Sequence, residues 1–187
     1  MAPRWHVVPV GGAADPAAIP LLLVPGPGFG DGSHPTTQLC LEGISAIAPR
    51  GRAWRLLDVG SGSGILSIAG ARLGATVDAV EIDAGAIEHA QRCFQANGVD
   101  GVIRSSSSLA HVVGPFDFVV ANVWRAVLPS VAEAIAGLRA PGGAVLLSGL
   151  VSTDVPEVTV RYARLLGGNR PEVYERDEWR ALLWRRA

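Results

Sequence analysis

Apolar residues along this chain fall in short blocks whose period switches repeatedly. Unbroken blocks such as Phe118-Val119-Val120-Ala121 and Ala144-Val145-Leu146-Leu147 alternate with stretches whose apolar positions recur every three or four residues. From Trp54 onward the pattern predicts strand 54–59, helix 64–73, strand 76–82, helix 84–97, a short strand near 101–105 and strand 116–121. Helix 126–139, a turn at Gly142-Gly143 after Pro141, strand 143–149 and helix 155–166 follow. Two final strands, 171–176 and 180–186, are joined by a short turn and are therefore antiparallel neighbours. Strand–helix alternation implies an α/β fold: a parallel sheet with helices on both faces. The uniformly apolar strands fit burial on both sides.

Upstream, the apolar runs Trp5–Val10 and Ile19–Val24 are expected as a small hairpin or a flap leading into the loop Pro25–Pro35. Thr36 or Thr37 is expected to open a helix through about Ile47, with Leu39, Leu41, Ile44 and Ile47 at helical spacing. The whole reads as one domain, 1–187, with 1–35 as flap and loop and 36–187 as core.

Composition narrows the classes. A chain of 187 residues can bury a substantial core. A formal charge of −1 gives no general attraction to nucleic acid or acidic lipid. All 16 basic residues are arginine, which excludes a catalytic lysine or Schiff base. Cys40 and Cys93, far apart in helical segments, read as buried thiols of a reducing compartment. The amino terminus lacks the order of a signal peptide, and Ile19–Val24 is too short to cross a bilayer. A soluble cytoplasmic protein is expected. His6, His89 and His111 show no metal spacing, and no metal is expected.

Candidate chemistry concentrates where the first core strand ends, in Leu56-Leu57-Asp58-Val59-Gly60-Ser61-Gly62-Ser63-Gly64. Residues without a Cβ let a backbone turn this tightly and let a ligand approach it. Glu81 lies 21 positions after Gly60, at the end of the next strand, where a carboxylate can accept from both hydroxyls of a ribose. Together they indicate an adenosine-containing cofactor at Gly60, Ser61, Gly62, Glu81 and Ile82. A nicotinamide cofactor asks for a third glycine at the sixth fingerprint position, and here that is Ile65. Asp58 instead suits the ammonium of S-adenosylmethionine, whose sulfonium needs no phosphate cradle.

The segment Gly28-Phe29-Gly30-Asp31-Gly32-Ser33-His34-Pro35-Thr36-Thr37-Gln38-Leu39-Cys40-Leu41-Glu42 closely resembles the signature loop and helix of the bacterial ribosomal protein L11 methyltransferases, PrmA. So do Gly62-Ser63-Gly64-Ile65-Leu66-Ser67-Ile68-Ala69, Ala121-Asn122-Val123, Pro141-Gly142-Gly143 with Leu147-Ser148-Gly149, and Glu178-Trp179 before Arg185-Arg186. The resemblance implies a class I methyltransferase sheet of seven strands, order 3-2-1-4-5-7-6, with the seventh antiparallel. It places Thr37, Gly60, Glu81 and Asn122 on cofactor positions and lays Phe29–His34 over the methionine end. The acceptor it implies is a protein lysine or another amine, with Asn122 at the reacting centre. Three departures stand out: no segment matches the family's amino-terminal docking domain, Asp31 replaces a small hydroxyl residue, and Trp124-Arg125 replace small or aliphatic ones.

Other readings stand beside these. The same core could methylate a small amine, or serve as a non-catalytic cofactor-binding module; a nicotinamide oxidoreductase is a third. His34 is a candidate base or a structural loop residue, and Asp31 an ammonium ligand or a turn former. Trp124 either walls the acceptor pocket or packs under the following helix. Asp83 is expected to cap the helix at 84. Ser105–Ser108 offer hydroxyls where adenine is expected.

Overall fold

The computed structural model describes residues 4–49 and 51–185; Met1–Pro3, Arg50, Arg186 (expected in the final strand) and Ala187 lie outside the described residues. Seven strands form the main sheet: β3 (Trp54–Val59), β4 (Ala75–Val80), β5 (Ile103–Ser106), β6 (Phe116–Asn122), β7 (Arg139–Val151), β8 (Glu172–Arg176) and β9 (Trp179–Trp184). Their order is β5-β4-β3-β6-β7-β9-β8, which counted from the first sheet strand reads 3-2-1-4-5-7-6. β3 to β7 pair in parallel, and β9 runs antiparallel to both β7 and β8.

Side-chain alternation divides the core into two layers. Leu56, Phe118, Val120 and Leu146 face one cluster with α1 (Pro35–Ile47), α2 (Ile65–Arg72) and α3 (Ala84–Ala96). Leu57, Val119, Ala121, Val145 and Leu147 face the other, with α4 (Leu128–Leu138) and α5 (Val155–Leu166). Burial on both faces is why these strands carry no polar alternation.

Three expectations need correction. β1 (Trp5–Pro9) and β2 (Ile19–Leu23) are parallel, with Trp5 opposite Ile19, so this pair is not a hairpin. Asn97 replaces a further strand at the outer edge of β2: it accepts from Leu22 N (3.0 Å) and donates to Leu22 O (2.7 Å). α1 opens at Pro35, not at a threonine, because His34 supplies the cap and proline suits the first helical position. Gly142-Gly143 is no turn between separate elements; β7 begins at Arg139 and takes up the extra residues as a register break opposite Phe116–Phe118.

Candidate functional site

The predicted residues converge at the carboxyl ends of β3, β4 and β6, beneath the loop that leads into α1. Asp58 is fully buried in β3. Its Oδ2 accepts from the Ser67 hydroxyl at 2.7 Å, while Oδ1 has no partner among the described residues. Burial pushes its carboxyl up to about 6; the Ser67 hydroxyl opposes that and the Glu81 charge adds to it. Thr37, also fully buried in the first turn of α1, likewise leaves Oγ1 without a partner. An unpaired buried oxygen costs free energy, so each of the two calls for a donor that the described residues do not supply. The ammonium of S-adenosylmethionine is such a donor, and the residues present fit that cofactor.

Glu81 is held by three backbone N–H groups: Gly62 to Oε2 at 3.0 Å, and Ile82 (2.8 Å) and Asp83 (3.1 Å) to Oε1. Each oxygen has two lone pairs, so the carboxylate is oriented, with Oε1 filled and one accepting position left on Oε2. Ile82 beside it is 87% exposed, an apolar side chain with nothing packed on it. Asp83 caps α3 as expected, accepting from Ala86 N at 2.7 Å.

Every amide of the glycine turn is already spent. Gly60 and Ser61 donate to Val80 O (2.8 and 3.0 Å), Gly62 to Glu81, Ser63 to Phe29 O (2.8 Å) and Gly64 to Ser61 O (2.7 Å). The turn therefore offers no free row of N–H groups to a pyrophosphate. The glycines answer to protein contacts as well as to positive φ. A Cβ at Gly60 would lie 2.3 Å from Val123 Cγ1, at Gly62 2.4 Å from Phe29 O, and at Gly64 2.3 Å from Phe94 Cε1. Room for a ligand is thus not what these positions require. Close helix packing, expected at the sixth fingerprint position, is met one residue earlier, by Gly64 against Phe94 of α3.

Phe29, 57% exposed, crosses above the turn, and the Ser63 hydroxyl donates to Gly30 O at 2.7 Å. His34 packs edge-on between Phe29 (5.4 Å) and Trp179 (4.9 Å). Its Nδ1 accepts from Thr36 N, which makes it a cap and takes that nitrogen away from base chemistry. Asp31 accepts from the Ser33 amide (2.9 Å) and hydroxyl (2.7 Å), the bonds of a turn former, and the hydroxyl bond chiefly holds its carboxyl below the usual range.

Asn122, half-buried, ends β6 opposite Ser148 of β7. Trp124 is 85% exposed, so it does not pack under α4. Arg125 turns away to Asp154 (3.6 Å) and to Glu157. Ser106 and Ser108 are spent on the turn after β5, while Ser107 is exposed.

Several contributors stand in the motifs quoted from the sequence but were given no individual role there: Ser63, Ser67, Ser148 and Val123. Ser67 had a signal, since a buried acid before a glycine turn needs a donor in the first turn of the next helix. Val123 had none; it is wedged between Gly60 and Gly149, whose Cβ would lie 2.2 Å from Val123 O.

The family model described as "Ribosomal protein L11 methyltransferase (PrmA)" matches residues 1–187. A ribosomal protein L11 methyltransferase of Dechloromonas aromatica (strain RCB) is 42% identical over 178 residues, covering 95% of this chain and 56% of that protein. Another from Tolumonas auensis is 37% identical, covering 95% of this chain and 58% of its own length. The chain thus spans little more than half the length of these relatives. Among solved structures, a ribosomal protein L11 methylase from Lactobacillus delbrueckii subsp. bulgaricus superposes with a TM-score of 0.86 at 29% identity, covering 98% of this chain and 96% of that one.

Proposed function

The chain belongs to the ribosomal protein L11 methyltransferase family, and from that premise we propose that it transfers a methyl group from S-adenosylmethionine to a nitrogen of a protein, a lysine side chain. The observation that carries the cofactor reading is the orphaned Oδ1 of Asp58 beside a glycine turn with no free amide. That pair suits a ligand with an ammonium and no pyrophosphate.

When bound, S-adenosylmethionine supplies a methyl group on a sulfonium, so the leaving group departs neutral. This chain's residues have two remaining tasks: alignment, worth up to roughly 7–11 kcal/mol in favourable cases, and admission of an unprotonated amine. Asp58 Oδ1 and Thr37 Oγ1 would take the amino-acid end, and Glu81, with one lone pair left on Oε2, would accept from a ribose hydroxyl. Ile82 supports the adenine. The Phe29 segment covers the glycine turn and keeps water from the reacting centre. Asn122 presents an amide oxygen to an acceptor N–H, fixing the direction of its lone pair. Trp124 offers an open aromatic face to an approaching cationic or neutral amine.

Incubating the purified chain with labelled S-adenosylmethionine, ribosomal protein L11 and a panel of small amines tests this reading. Label on a protein lysine is expected. Labelling confined to small amines would replace the acceptor, and tight cofactor binding without turnover on any acceptor would leave a binding module.

A further inference from the structure

The flap owes its position to one face of α3. His89, Cys93 and Asn97 stand four residues apart, one above another on the helix, and each bonds the backbone of the amino-terminal segment. Asn97 binds Leu22, and Cys93 Sγ accepts from Val24 N at 3.4 Å. His89 takes the last step: Nδ1 accepts from Gly28 N at 3.0 Å, and Nε2 lies 2.6 Å from Val24 O. An amide can only donate and a carbonyl only accept, so the ring is neutral with its proton on Nε2. The chain passes this buried ring at a distance only glycine permits. A Cβ at Gly26 would lie 2.3 Å from Cδ2, and one at Gly28 2.7 Å from Nδ1. The next residue is Phe29, whose carbonyl meets Ser63 of the glycine turn.

We propose that His89 is a positioning residue for cofactor binding: its neutral ring clamps Val24 and Gly28 and so sets Phe29–Gly30 on the turn at Gly62–Ser63. The proposal rests on the cofactor reading above. A second proton, on Nδ1, would point at the Gly28 N–H, so the clamp holds only while the ring is uncharged. From the flap, Asp31 lines the same cavity of ≈ 300 Å³, as does neutral Ser63; Val7–Pro9 of β1 bring no charge to it. On α3 itself the neighbouring titratable or charged side chains are Glu88, Arg92 and Cys93.

The test compares the full chain with H89A and H89Q, glutamine offering one donor and one acceptor without titrating near neutrality. Calorimetry with S-adenosylhomocysteine at pH 8 is expected to show roughly tenfold weaker binding for H89A and near-normal binding for H89Q. Between pH 8 and 5.5 the wild type is expected to lose affinity more steeply than H89Q. Asp58 titrates in both proteins, so the difference between the profiles isolates His89. Amide hydrogen exchange of residues 24–30, measured without ligand, is expected to quicken in H89A and to recover in H89Q. Parallel pH profiles for wild type and H89Q, or unchanged exchange in H89A, would overturn the clamp. If no protein bound the ligand, the cofactor reading would fail, while exchange would still decide whether His89 fixes the flap.

Discussion

Replacing Asp58 with asparagine separates what the buried charge costs from what it is for. Lifting a carboxyl from 3.8 to about 6 makes the ionised native state about 3 kcal/mol less favourable than an unperturbed group would be. Because the native value lies above the unfolded one, the contribution to stability is complete below about pH 3.8 and is lost as pH rises through about 6. Asp58→Asn removes that cost at pH 8. Against this, its amide N–H group would take the place of Oδ1 with no acceptor, at about 1–3 kcal/mol. The free variant is therefore expected to range from unchanged to about 2 kcal/mol more stable at pH 8, up to roughly 4–8 °C in Tm.

Binding should move the other way. Loss of the charge-assisted bond to the ligand ammonium, about 1.5–3 kcal/mol, predicts roughly 10- to 150-fold weaker S-adenosylhomocysteine binding. Thermal melts across pH 4–8 and calorimetry at pH 8 check both signs. As pH falls through about 6, the wild type should gain stability relative to the variant. Undiminished binding by the variant, or a stability difference that ignores pH, would refute the reasoning.

Three further substitutions and a labelling experiment follow from the same geometry. Gly62→Ala needs φ near +53° and a Cβ 2.4 Å from Phe29 O, so Tm should fall by the equivalent of about 1–3 kcal/mol, with weaker ligand binding by calorimetry. Glu81→Gln would turn an NH₂ group toward a backbone N–H and lose a ribose acceptor; roughly 10- to 150-fold loss of S-adenosylhomocysteine affinity is expected. Trp124→Ala, at an 85% exposed position, should change stability by less than about 0.5 kcal/mol and leave cofactor affinity intact, while raising KM for the acceptor in a steady-state assay. The Cys40 thiol, pushed up by complete burial, should resist alkylation in the native protein and react only on unfolding, as read by mass spectrometry.

The core was legible because its signals are local and redundant. Doubly buried strands write continuous apolar runs, and Asp83 announces its helix by the cap it supplies. The amino-terminal pair was not legible, because what holds β2 in place comes from α3, 69 to 75 residues further on: Asn97 and Cys93 bond the backbone of Leu22 and Val24. His34 shows the same limit at one residue. Its position before proline suits both a cap and a base, and the cap shows only in the folded chain, where the Thr36 amide lies 3.3 Å and the Thr36 hydroxyl 2.8 Å from Nδ1.

The glycine turn carries the sharper lesson, since its glycines were read from the sequence through an incomplete cause. Gly60, Gly62 and Gly64 have φ of +75°, +53° and +80°, which local reasoning anticipates. What excludes a side chain at each is nevertheless a distant segment: Val123 after β6, the Phe29 carbonyl of the flap, and Phe94 of α3. The turn is thus the knot where three parts of the chain meet, with its amides spent on holding them. A ligand that needed those amides would have to break the knot; one that needs Asp58 Oδ1 and Glu81 finds both ready. That is why the buried carboxylate carries more information about the cofactor than the glycines beside it.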